Sequence, residues 1–237
     1  MRFNRFTPAA SAVMVAMLSL PPPAGAARPL QTDDAGVLDR ADCELEGSGL
    51  RQRADAERSS QAGLQLACGM GWKTQLAVAA ASARNVGVLS SGLALLGKHR
   101  LWEAQGGGEA LALSWQLAEA RTPGGTWHHE GSELRLIGTR ALSDELTLHA
   151  NMGHAHNVED RMHSTTWGIA LEHAPLHALP GLAPMFEVFG DDRDTTWGSL
   201  GLRYAAIADR LSVDASYSRP LKGGSRSLLT VGFKFSF

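Results

Sequence analysis

Apolar and polar residues alternate along this chain in segments of roughly ten residues, separated by clusters of Gly, Pro, Asp and Asn. The pattern is plainest over 229–237. Leu229, Val231, Phe233, Phe235 and Phe237 take every second position, with Thr230, Gly232, Lys234 and Ser236 between them. Successive side chains of a strand point to opposite faces, so this segment has one wholly apolar face and one polar or small face. The same reading predicts strands over 42–53, 61–69, 72–83, 87–102, 108–120, 132–141, 144–155, 161–173, 182–190, 195–205, 209–219 and 226–237. The first two have the weakest alternation, which leaves ten strands as the alternative to twelve.

These segments have the length of strands that cross a bilayer at a tilt, about 10 residues. The expected fold class is all-β, an antiparallel transmembrane β-barrel. Its connections should alternate between short periplasmic turns and longer outer loops. Stretches 105–108, 142–145 and 206–209 are tight, whereas 121–131, 157–161, 190–194 and 220–224 include longer, more polar ones. Only 175–184 breaks the rule, reading as a broken strand or a turn packed on the rim.

Collecting the polar faces places Lys73, Lys98, Arg100, Glu133, Arg135, Glu172, Glu187, Arg203, Asp214 and Lys234 in the lumen, because hydrocarbon accepts such groups poorly. Positive charges are in excess among them. Trp72, Trp102, Trp115, Trp127 and Trp167 read as interfacial girdle residues. Trp197 instead faces inward by parity, so Trp197, Arg203 and Lys234 mark the expected lumen site for an aromatic or anionic solute.

At the other end, Arg2 and Arg5 precede an apolar run over 9–20 and then Ala24-Gly25-Ala26. That order reads as a cleaved signal peptide over 1–26, followed by a periplasmic segment over 27–41 and the barrel over 42–237. Export fits the outer membrane of a Gram-negative bacterium. A net charge of −2 with no basic run argues against nucleic acid as a partner. Cys43 and Cys68 lack CxxC spacing and, in an oxidising compartment, are expected to form a disulfide.

Two resemblances sharpen this reading. The 229–237 segment resembles the closing strand of bacterial outer-membrane barrels, which implies an insertion signal in Val231, Phe233, Phe235 and Phe237 and the barrel-insertion machinery as a partner. Arg28-Pro29-Leu30-Gln31-Thr32-Asp33-Asp34-Ala35, followed by Cys43-Glu44-Leu45-Glu46, Cys68 and the Gly92–Lys98 stretch, is similar to the barrel family labelled MetA-pathway of phenol degradation. That resemblance implies passage of small, hydrophobic or aromatic solutes without catalysis. It supplies no catalytic residues. A plugged structural barrel that interacts with the envelope surface is the alternative.

Other candidate chemistry has plainer readings. His154, His156 and His163, with His128 and His129, read as solvated outer-loop residues rather than metal ligands, although imidazole suits Zn and Cu. Asp33-Asp34 lacks the spaced ligands of a Ca²⁺ loop and reads as a pair that plugs or pins the barrel against an Arg. The acidic stretch over 191–194 reads as a solvated loop near lipopolysaccharide. An outer-leaflet lipid hydrolase would need His149 joined to Ser164 or Ser199 and to Glu172, but no spacing links them and no GxSxG motif occurs. No cofactor is expected.

Overall fold

The computed structural model describes residues 30–54 and 57–237, so the expected signal peptide lies outside the described residues. Twelve strands form: β1 (Cys43–Ala54), β2 (Glu57–Gly71), β3 (Thr74–Asn85), β4 (Val88–Glu103), β5 (Glu109–Arg121), β6 (His128–Ala141), β7 (Leu146–Asn157), β8 (Met162–His173), β9 (Leu182–Asp191), β10 (Trp197–Ile207), β11 (Leu211–Pro220) and β12 (Ser227–Ser236). Each pairs antiparallel with its sequence neighbours, and β1 closes the barrel on β12. Closure satisfies every edge, which an open sheet in lipid could not do. Cys43 and Phe237 exchange two backbone hydrogen bonds of 2.9 Å at the seam. We call the end of the barrel that carries this seam the near rim and the opposite end the far rim.

Period two sorts the wall as expected. Leu64, Val78, Leu134, Met152, Ile169 and Leu200 are each more than half exposed on the outside. An apolar belt of this extent is a liability in water and a fit in hydrocarbon. The inner face carries small or polar groups. Ala67, Ala77, Ala94 and Ala118 cluster with Leu96, and Gln65, Lys98, Gln116 and Arg135 are buried among them. Small inward residues leave space that the wall itself does not fill.

One departure from the sequence reading concerns the near rim. Lys73 does not line the lumen. Trp72 and Lys73 form the two-residue β2–β3 turn with φ of 49° and 58°, and both side chains are exposed. The alternation runs through the turn by chance, while the backbone reverses there and β3 restarts at Thr74. The 174–181 connection is a turn folded onto the rim. Leu176 N–H donates to Leu182 O at 2.9 Å, and Ala205 N–H of β10 donates to Gly181 O at 2.9 Å.

Cys43 and Cys68 stand directly opposite each other in the β1–β2 ladder and are disulfide-bonded. The bridge fixes the base of the hairpin where the chain enters β1.

Candidate functional site

The segment before β1 enters the barrel. Leu30 packs on Ala170 and Met185, and Ala35 on Ala112 and Ile137, all inward residues of the wall. Polar contacts hold the stretch between these two anchors. The Glu187 carboxylate, fully buried, accepts the Gln31 N–H at 3.0 Å and the Thr32 N–H. Lys98 Nζ donates to Asp33 Oδ1 at 2.9 Å and to Asp34 O at 3.0 Å. Asn151, with its amide turned to satisfy both partners, donates to Asp33 O at 3.0 Å and accepts from Asp33 N–H at 2.6 Å. Ala35 N–H donates to Thr139 Oγ1 at 2.9 Å, and Leu38 N–H to Gln75 Oε1 at 3.1 Å.

Side chains of β3, β4, β6, β7 and β9 thus read the backbone of the segment, as a strand partner would. Two wall glycines make room for it. A Cβ on Gly168 would lie 2.3 Å from Thr32 Oγ1, and one on Gly69 would lie 1.9 Å from Asp39 O. Only glycine allows so close a backbone approach. The expected Asp–Arg pin is therefore an Asp–Lys pin, Asp33 with Lys98, set in a wider clasp.

The remaining lumen charges pair around this segment. Arg135 donates to Glu133 at 2.7 Å, and Thr166 Oγ1 donates to the same carboxylate at 3.0 Å. Arg203 donates to Glu172 at 2.9 Å, while Asp214 stands opposite Arg203 in the ladder. Lys234 lies 3.2 Å from Glu44, and Arg100 pairs with Glu103 at 3.0 Å. A polar cavity of about 240 Å³ lies beside the segment, lined by Asp34, Glu44, Glu46, Lys98, Arg203, Asp214 and Lys234 among others. The expected positive excess does not survive. Lys73 leaves the set, and Asp33, Asp34, Glu44 and Glu46 join it.

Arg203 and Lys234 share that cavity, but Trp197 does not. It begins β10 at the far rim, six residues from Arg203 and so about 20 Å along the strand. There Trp197 is buried, stacks on Phe189 with centroids 6.3 Å apart and carries the Arg226 guanidinium 5.2 Å over its ring. Asp194 in turn receives Arg226 at 2.5 and 2.8 Å. This hydrogen-bonded guanidinium holds the Asp194 carboxyl below the usual carboxylate range. The acidic stretch is organised rather than merely solvated: Asp191 Oδ1 accepts the Arg193 and Asp194 N–H groups at 2.7 Å, and Asp192 Oδ1 accepts the Thr165 N–H at 2.9 Å.

His149 faces inward, with Nδ1 2.9 Å from Thr139 Oγ1 and Nε2 3.7 Å from Glu172 Oε2. Neither serine considered for a hydrolase joins it. Ser199 bonds Ser218 at 3.0 Å, and Ser164 pairs in the ladder with Ala155. The ring is buried on the lumen side of the wall, and Thr139 Oγ1 is already taken by the Ala35 N–H at 2.9 Å.

A family model described as Uncharacterised conserved protein UCP029691 matches residues 14–237, and the chain belongs to that family. No curated protein sequence matches it. Among solved structures it is similar to the KdgM porin in complex with disordered oligogalacturonate, at 10% identity and a TM-score of 0.61, covering 82% of this chain and 99% of that one. An outer-membrane channel from Pseudomonas putida F1 gives 11% identity and a TM-score of 0.56 over 85% and 97% of the two chains. The CymD monoaromatic hydrocarbon channel gives 8% and 0.53 over 86% and 90%. At these identities the likeness is one of fold, that of outer-membrane channel barrels.

Proposed function

We propose that this member of the family is a non-enzymatic outer-membrane channel for small polar solutes, closed by its own N-terminal segment. One observation carries the reading: what fills the lumen is a separate stretch, residues 30–41, held by hydrogen bonds and ion pairs that water can replace. A barrel of this strand number is wider than wall side chains fill, whereas an eight-strand barrel packs solid. Moving the segment aside leaves a polar passage between paired charges. The porin-type relatives support the reading at the level of fold.

The mixed charges of the cavity favour solutes that are polar or carry both signs over hydrophobic aromatics. In this orientation the near rim is periplasmic and the far-rim loops meet lipopolysaccharide. The outward row Val231, Phe233, Phe235 and Phe237 is presented to the insertion machinery during assembly. Paired interior charges also suit a permanently closed structural barrel, and solute flux separates the two. Proteoliposomes carrying the full protein, or a variant lacking residues 30–38, are challenged with sugars, amino acids and aromatic acids of graded size. The channel reading expects the deletion to admit small polar solutes, and equal impermeability of both proteins, each shown to be folded, would reject it.

A further inference from the structure

The three histidines at the far-rim end of the β7–β8 hairpin, His154, His156 and His163, are strand residues, and they stand on the outside of the barrel. His154 and His156 lie two positions apart on β7, which persists to Asn157, so they share its outer face. His163 of β8 pairs directly with His156 in the ladder, and Thr165 pairs with His154. The rings have collapsed into one stack. The His156 and His163 centroids are 4.3 Å apart at 16°, and those of His154 and His163 are 5.3 Å apart at 19°. His154 Nε2 and His163 Nδ1 approach to 3.2 Å. Along the same outer face, Met152 and Ile169 belong to the apolar belt. The stack therefore sits between that belt and the far-rim turn over 158–161.

We infer that this hairpin binds one borderline first-row transition-metal ion, Zn²⁺ or Cu²⁺, on the outer surface of the barrel, between His154 Nε2 and His163 Nδ1 with His156 as the third ligand. The distance carries the argument. Two nitrogens held about 2.0–2.1 Å from a tetrahedral ion are about 3.3 Å apart, close to the separation already present. One of those nitrogens now donates its proton to the other. Metal binding needs both lone pairs, so that proton moves to the far nitrogen of its own ring, and a neutral imidazole loses none. Among the described residues no three such side chains already converge on one point. His156 completes the set by rotating its ring from the stack, and water takes the open position.

Imidazole donors select Zn²⁺, Cu²⁺ and Ni²⁺ over Mg²⁺ and Ca²⁺, so the divalent ions that bridge lipid headgroups do not compete. Arg193 and Arg161 are nearby cations, and the Arg193 guanidinium donates from Nε to His163 O at 2.6 Å. That guanidinium of Arg193 is directed to the backbone and to Met162 rather than to the ring nitrogens.

The test is titration of the full, folded, EDTA-stripped protein in detergent with Zn²⁺ by calorimetry and with Cu²⁺ by electron paramagnetic resonance. The inference expects one saturable site, nitrogen hyperfine structure on Cu²⁺, and affinity at least roughly tenfold weaker in His154→Ala and in His163→Ala. His156→Ala should weaken Zn²⁺ while leaving a two-nitrogen Cu²⁺ signal. His177→Ala, in the near-rim turn with its side chain 95% exposed, should bind as the parent does. Binding that persists unchanged in a His154→Ala/His163→Ala protein, or no saturable binding by the parent, overturns it. Heat-modifiable gel migration verifies that each variant is folded.

Discussion

Replacing Glu187 by Ala removes both acceptors that hold the peptide at Gln31 and Thr32. A hydrogen bond contributes about 0.5–1.5 kcal/mol net, so losing two costs about 1–3 kcal/mol of docking. At 1.4 kcal/mol per decade, the population with the segment undocked should rise roughly 5- to 150-fold. Hydrogen exchange read by mass spectrometry measures this directly, through peptides that cover residues 31–36. Exchange there should accelerate by that factor while the strand peptides keep their protection. Unchanged exchange over 31–36 in a folded Glu187→Ala protein would refute the claim that Glu187 clasps the segment.

Gly168→Val should loosen the same segment by steric means, because its Cβ meets Thr32 Oγ1 at 2.3 Å; fluctuating conductance from a folded barrel is the expected reading, and steady silence counts against the fit. Removing the Cys43–Cys68 bridge, which closes a loop of sequence separation 25, should lower stability by about 2–4 kcal/mol, seen as a lower urea midpoint of unfolding. Charge reversal at Arg203 or Lys234 in a background lacking residues 30–38 should shift ion selectivity toward cations, and identical reversal potentials in both would place the passage elsewhere. The Asp194 pair gives a pH signature: its folded pKa is depressed, so its contribution is complete above the ordinary carboxylate pKa and is lost as pH falls through the folded value. Trp197 emission should change in that acidic window in the parent and stay flat in Asp194→Asn, which has no carboxyl to titrate.

All twelve strands were legible in the sequence because a wall with lipid on one side and polar groups on the other enforces strict alternation. Parity also assigned Lys98, Arg135, Glu187, Arg203 and Asp214 to the inward face, where four of them are buried and Arg203 lines the cavity. Parity gives a face, however, and says nothing about height. That is why Trp197 and Arg203, on one face of β10, were grouped into a site although one lies at the far rim and the other beside the cavity. Nor does alternation mark a turn whose residues happen to continue it, as Lys73 does. The lumen segment was the least legible part, since residues 30–41 have no period of their own and draw their partners from strands far along the chain. Asp33 finds Lys98 at a separation of 65 residues. The available signal was the Asp33-Asp34 pair, which reads as a plug or pin in the sequence but does not identify its partner as Lys98.

The central claim is that a polar passage exists and that the chain's own segment closes it. Single-channel recording in planar bilayers of the full protein beside the variant lacking residues 30–38 tests it most directly. The account predicts a nearly silent full protein and large, stable, ohmic steps from the deletion variant. A folded deletion variant that stays silent, or a full protein that conducts equally, would contradict it.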